Sequence, residues 1–181
     1  ITPRQSDDRD YVEFIFWPGR CSSAVGMQGG RQTIKLDPNG CPWSSVVHEL
    51  LHTAGFWHTQ SRADRNRHIK IKRRNIRPTS VHNFDIHSKT SRNGRAEIVD
   101  VPYDVHSLMH YDSFAFARDR GRMNDPRKAT ILTRTGKIIQ PRCLPSGWAS
   151  MPNCRRSSVS PGVGLSAIDV RGINLVYPGP K

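Results

Sequence analysis

His48 and His52 stand four residues apart, with Glu49 directly after the first, in the run His48-Glu49-Leu50-Leu51-His52-Thr53-Ala54-Gly55-Phe56-Trp57-His58. On a helix, residues i and i+4 share a face, so both imidazoles can reach one metal ion while Glu49 projects beside them. Gly55 follows where a helix commonly ends in a left-handed residue that glycine adopts at little cost. The chain can then reverse and bring His58 back as a third ligand. Three neutral imidazoles with an open fourth position suit a catalytic zinc ion, one per chain. The whole spacing, H-E-x-x-H-x-x-G-x-x-H, is far more specific than its first five positions alone. The chemistry to expect is metal-assisted hydrolysis: zinc brings the pKa of bound water towards ~7, and Glu49 takes that water's proton.

Such a site needs a helix under it. One starts around Pro42 to Ser45, with proline tolerated in the first turn and either serine available as a cap. Val46, Val47, Leu50, Leu51 and Ala54 make it apolar nearly all round, which predicts a buried central helix. Ahead of it, residues 11–16 read as a strand, 23–27 as a possible second and 32–36 as a third, closed by the turn Asp37-Pro38-Asn39-Gly40. Beyond it, 68–72 alternates like a short surface strand, and 130–132 is a further strand candidate. Phe84 and Ile86 are expected to anchor the polar stretch around them. Residues 165–177 have helical periodicity with Ser166 as N-cap. Of the other histidines, His68, His82, His87 and His106 lack ligand spacing and read as surface residues, and His110 as structural.

With 181 residues, the chain is one domain or two small lobes. An apolar share of 35% and a mean hydropathy of −0.61 point to a modest core, and 13 prolines with 14 glycines to many loops. Lys and Arg outnumber Asp and Glu by 28 to 15, a net charge of +13 that favours anionic partners without choosing among acidic peptide, glycan, nucleic acid or membrane surface. A solvated basic surface accounts for it equally. In the basic run 62–77 a solvated strand face is favoured, because aromatics for base stacking are not interleaved. Cys21, Cys41, Cys143 and Cys154 form no C-x-x-C pair and suggest two disulfides in an oxidising compartment. Of three possible pairings, neighbour with neighbour is the simplest. No apolar run approaches bilayer length, and the opening Ile1-Thr2 fits a processed chain or a fragment.

The same residues resemble a family. The run 48–58, followed by Arg62-Ala63-Asp64-Arg65, resembles the extended zinc signature of the astacin metallopeptidases. Ser107-Leu108-Met109-His110-Tyr111 is similar to that family's Met-turn in wording and in distance downstream, and 165–177 is similar to its C-terminal helix. The resemblance runs from about Asp10 to Tyr177 and is loose over 115–160. It implies an α+β, metzincin-like two-lobed domain over 1–181. Its N-terminal lobe, about 1–58, would hold a twisted sheet and the central active-site helix. Its C-terminal lobe, about 59–181, would be irregular with a terminal helix, and the cleft between the lobes would hold zinc.

The implied activity is that of a secreted, extracellular zinc endopeptidase made as a zymogen. His48, His52 and His58 would bind the metal, and Glu49 would be the general base. Tyr111 would act catalytically by swinging between metal and reaction intermediate. Met109 would floor the site and Gly55 would shape its turn. Cys21–Cys41 matches a family disulfide, whereas Cys143–Cys154 falls where the likeness is weak. The implied partner is a protein or peptide substrate, and the basic balance is compatible with acidic residues near the scissile bond. No specific nucleic acid and no membrane span are expected, and a monomer is assumed. A second reading is a catalytically silent metzincin-like module that holds an anionic glycan or acidic protein on its basic surface. Departures from the family pattern are Thr59 for glutamate, Asn66 for aspartate and Asp112 for glycine. The stretch before the motif is about half the family's usual length, so a first strand and a backing helix are expected to be missing.

Overall fold

Alternating β-branched and aromatic residues make Tyr11–Phe16 a strand, β1, and Arg31–Leu36 a second, β2. In the computed structural model, which describes residues 2–87, 100–119, 124–140 and 165–178, these strands pair in parallel with Tyr11 opposite Arg31 and Phe16 opposite Leu36. Parallel pairing needs a crossover, and residues 17–30 supply it. The expected strand at 23–27 does not form. Ser22 alone bridges β2, at Lys35, and the chain then turns away at Gly26, whose φ is +77°. The backbone groups there are satisfied otherwise. The Gly26 N–H donates to the His52 carbonyl at 2.8 Å. The Gly26 carbonyl accepts from the side-chain amides of Gln28 and Gln32, both at 3.0 Å.

The chain clusters into two compact units, Ile1–Trp57 and His58–Lys181. The first holds β1, β2 and a helix, α1, spanning Trp43–Thr53. No serine caps α1. Pro42 is its N-cap, and the Pro42 carbonyl takes the Ser45 and Val46 N–H groups at 2.8 and 3.2 Å. α1 is also less fully buried than expected. Glu49, Leu51 and His52 are buried, but Trp43 is exposed, because the sheet beside it has two strands and covers one face. On β1 the alternate residues Val12, Phe14 and Phe16 stay exposed. The disulfide Cys21–Cys41 forms, with Cα atoms 5.8 Å apart, and ties the start of the 21–26 segment to the residue before Pro42. The expected Cys143–Cys154 pair lies outside the described residues.

The second unit is held by short pieces. 3₁₀ turns occupy Thr59–Ser61, Arg65–Arg67, Arg73–Asn75 and Pro78–Phe84. β3 (Ile69–Ile71) pairs antiparallel with β4 (Ile131–Thr133). One apolar cluster gathers Ile69, Ile76, Phe84, Ile131 and Ile139, and another Phe114, Ala117, Ala129 and Leu132. Of the two expected loop anchors, Phe84 is fully buried and Ile86 is exposed. The basic run is not one solvated face either: Lys70 is exposed on β3, but Arg62 and Arg65 are buried. No helix among the described residues is long and apolar enough to cross a membrane.

The last helix, α2, spans Ala167–Val176 and starts at Ser166 as the sequence predicts. The Ser166 hydroxyl accepts the Asp169 N–H at 2.9 Å, and the Asp169 carboxylate accepts the Ser166 N–H at 2.9 Å, a reciprocal capping box. The same carboxylate takes the Ser107 hydroxyl at 2.6 Å and the Leu108 N–H at 2.9 Å. Asp169 therefore caps a helix and holds the 107–111 turn at once. Asp169→Ala is expected to destabilise the protein by about 2–3 kcal/mol and Ser166→Ala by about 1 kcal/mol in urea unfolding. Equal losses would show that Asp169 does no more than cap.

Candidate metal centre and active site

The helical period of α1 sets the His48 and His52 rings edge to face, with centroids 4.6 Å apart. The helix then closes on Ala54 in a Schellman arrangement: the Phe56 N–H reaches the Leu51 carbonyl at 2.9 Å and the Gly55 N–H reaches the His52 carbonyl at 2.8 Å. Gly55 has φ +99°, and a Cβ there would meet nothing nearer than the Gly26 Cα at 4.0 Å. The backbone angle demands glycine; lack of space does not. The reversal delivers His58, and one ligand atom from each of His48, His52 and His58 lies within 4.8 Å of the others.

The donors suit zinc in protonation state as well as in position. His52 is buried, and burial, followed by the nearby His48, draws its pKa down to about 4. It is therefore neutral at pH 7, as a metal ligand must be. Its Nδ1 lies 2.8 Å from the Phe56 carbonyl. A carbonyl only accepts, so Nδ1 carries the hydrogen and Nε2 keeps its lone pair for a metal. The Phe56 carbonyl was missed by sequence reasoning, although it follows from the turn that Gly55 permits.

Glu49 is buried beside the histidines. Desolvation raises its pKa, and the hydroxyl of Ser23 opposes that rise. The Ser23 Oγ sits 2.8 Å from the Glu49 backbone carbonyl and 3.0 Å from Glu49 Oε2. Spacing along the chain gave no sign of this contact, which spans 26 residues.

Tyr111 stacks obliquely on His58, with ring centroids 4.4 Å apart, and Phe84 and Phe116 pack against its other sides at 5.9 and 5.4 Å. Its N–H donates to Gln60 Oε1 at 3.1 Å. Gln60 is fully buried, and its own carbonyl takes Arg65 Nη1 at 2.8 Å. Met109 is buried, with its carbonyl accepting the Thr59 N–H at 3.0 Å and its N–H donating to Ser107 Oγ at 3.0 Å. His110 bonds the Tyr111 carbonyl through Nδ1 at 2.6 Å and the Tyr103 hydroxyl through Nε2 at 2.9 Å. Burial takes the His110 pKa down to about 4 and pushes the Tyr103 phenol well above its ordinary range. A neutral ring between a carbonyl and a phenolic donor satisfies both. His68 is not a plain surface residue: it is half-buried and stacks flat on Tyr103, with centroids 4.5 Å apart. His82 and His106 are exposed, and His87 is half-buried.

Comparison with known proteins places this arrangement. The model of the Astacin peptidase family matches residues 1–141. High choriolytic enzyme 2 of Oryzias latipes is 37% identical over 120 residues, 66% of this chain and 40% of that protein. Zinc metalloproteinase nas-6 of Caenorhabditis elegans is 43% identical over 117 residues, 64% of this chain and 32% of that protein. The chain thus spans two fifths or less of the length of these relatives. Among solved structures, high choriolytic enzyme 1, a hatching enzyme zinc-protease from Oryzias latipes, superposes with a TM-score of 0.70 at 27% identity, over 98% of this chain and 74% of that one.

Depressed histidine pKa values carry a stability consequence. For His110 the folded value is about 4 against an ordinary 6.5, so between these the unfolded chain binds more protons. Its contribution is complete above pH 6.5 and is lost as pH falls towards 4. The size is up to about 3 kcal/mol, and His52 adds a parallel loss in metal-free protein. Urea midpoints of metal-free protein across that window are expected to fall with pH, and His110→Gln to make the slope shallower. A variant slope equal to the wild-type slope would rule out the His110 share.

Proposed function

Because the chain belongs to the astacin family of peptidases, we propose that it is a zinc-dependent endopeptidase that hydrolyses peptide bonds in protein substrates. The observation that carries this reading is the convergence of His48, His52 and His58 within 4.8 Å. We read residues 1–181 as a single peptidase domain. The disulfide Cys21–Cys41 suits an oxidising, extracellular setting.

His48, His52 and His58 would hold zinc, which would supply Lewis acidity to polarise the scissile carbonyl and bring the pKa of water towards ~7. The rest is the work of the chain. His52 is kept neutral by burial and oriented by the Phe56 carbonyl, which leaves its Nε2 lone pair available to hold zinc. Glu49 takes a proton from the attacking water on its carboxylate and passes it to the leaving amine. Burial helps it, because a carboxylate with a raised pKa is a stronger base near neutral pH. The Tyr111 hydroxyl donates a hydrogen bond to the developing oxyanion, an effect of ~3 kcal/mol in comparable sites. Gln60, Phe84 and Phe116 fix the tyrosine from behind. Met109 supports the site by packing. The positive charge of the chain favours acidic residues around the scissile bond.

Chelation is expected to abolish hydrolysis of a protein substrate and zinc to restore it. Glu49→Gln should bind zinc with wild-type stoichiometry while losing about 10²–10⁴-fold in rate. Full activity in that variant would overturn the assignment of the base.

A further inference from the structure

The base needs more than burial. A carboxylate in a dry pocket has rotameric freedom about three side-chain bonds, and a general base works only within hydrogen-bond reach of its proton. The described contacts of the Glu49 carboxylate include one hydrogen-bond donor, Ser23. Its Oγ lies 3.0 Å from Glu49 Oε2 and 2.8 Å from the backbone oxygen of the same residue. One hydroxyl therefore meets both ends of Glu49. Its single hydrogen is shared between these two acceptors, so the hydroxyl bridges the carboxylate and the backbone carbonyl of the same residue.

Ser23 is itself held firmly. Two residues before it, Cys21 is bonded to Cys41. Directly before it, Ser22 exchanges both backbone hydrogen bonds with Lys35 of β2, at 3.0 and 2.8 Å. Three residues after it, the Gly26 N–H is bonded to the carbonyl of His52. The segment is thus fastened before and after the serine, and its far anchor is the backbone of a metal ligand. Ser23 is half-buried, so its hydroxyl works where water competes weakly.

We propose that Ser23 is a positioning residue for the general base: it holds the Glu49 carboxylate in its working conformation and thereby sets the turnover rate, without touching metal or substrate. The proposal rests on Glu49 acting as the base. A hydrogen bond to a charged group, once lost, is felt in the chemical step. Substrate affinity and zinc binding do not use the hydroxyl and stay as they are.

The test uses zinc-loaded protein and a peptide substrate. Ser23→Ala is expected to lower kcat by about 10–100-fold, with KM and zinc stoichiometry unchanged. Ser23→Thr, which keeps the hydroxyl, is expected to recover most of the loss. In a Glu49→Gln background, Ser23→Ala is expected to cost no further rate, because the group it positions no longer acts as a base. A kcat within about twofold of wild type in Ser23→Ala would overturn the proposal. So would a loss carried by KM, or an equal loss in the Glu49→Gln background. A crystal structure of zinc-loaded Ser23→Ala gives a readout independent of turnover. Glu49 displaced or spread over several rotamers supports the positioning role even if no substrate is cut, in which case only the peptidase reading fails. Glu49 unmoved overturns it.

Discussion

The site depends on a chain reversal made immediately after the second metal ligand. α1 ends at Thr53, and Gly55 takes φ +99° so that His58 can return to the face that His48 and His52 occupy. An L-residue in left-handed backbone costs roughly 1–2 kcal/mol, and the open space around Gly55 does nothing to relieve that. The reversal also leaves the His52 carbonyl with two donors, Gly55 and Gly26, each at 2.8 Å. The second bond brings in the 21–26 segment, which carries Ser23 to Glu49. One glycine turn thus brings His58 to His48 and His52 and helps fasten the 21–26 segment that touches Glu49.

The second unit answers a different constraint, a shortage of apolar side chains in a chain only 35% hydrophobic. It uses buried polar groups as staples. The Arg62 guanidinium forks onto Asp64 at 2.9 and 2.8 Å, donates to the Val101 carbonyl at 3.1 Å and lies over the Tyr103 ring. Arg65 joins the carbonyls of Gln60 and Phe84 at 2.8 and 2.5 Å. Such groups are weak sources of net stability, because desolvation consumes much of what they gain. Their value is geometric. Each fixes loop carbonyls that no helix or sheet would satisfy, and the Gln60 staple leads directly to the backbone of Tyr111.

Local signals were legible in the sequence, and long-range ones were not. The ligand spacing, the α1 period, the strands 11–16 and 32–36, and the Ser166 cap all depend on neighbours a few residues apart, and each appears where the pattern puts it. The strand expected at 23–27 failed because a glycine-rich crossover found its hydrogen-bond partners in α1 and in two glutamine side chains. Burial of α1 was overestimated because periodicity shows which face is apolar without showing how much sheet is present to cover it. Arg62 and Arg65 looked like members of a solvated run, since composition does not reveal that Asp64, Val101, Gln60 and Phe84 converge on them. Ser23 was invisible for the same reason: its partner is 26 residues away.

Met109 ties separate parts of the second unit together through its backbone. Its carbonyl accepts from Thr59, the residue next to the His58 ligand, and its N–H donates to Ser107, whose hydroxyl donates in turn to Asp169. Asp169 caps α2, so an unbroken hydrogen-bonded path runs from the neighbour of the third ligand through the Met-turn to the last helix. Each link has short reach and a defined direction, and a shift at one end must be absorbed at the next. The Met109 side chain is buried, and its soft, adaptable shape suits filling an irregular gap. The same logic accounts for Thr59: at that position the backbone N–H makes the structural bond, so the side chain can change while the tie from ligand to Met-turn remains.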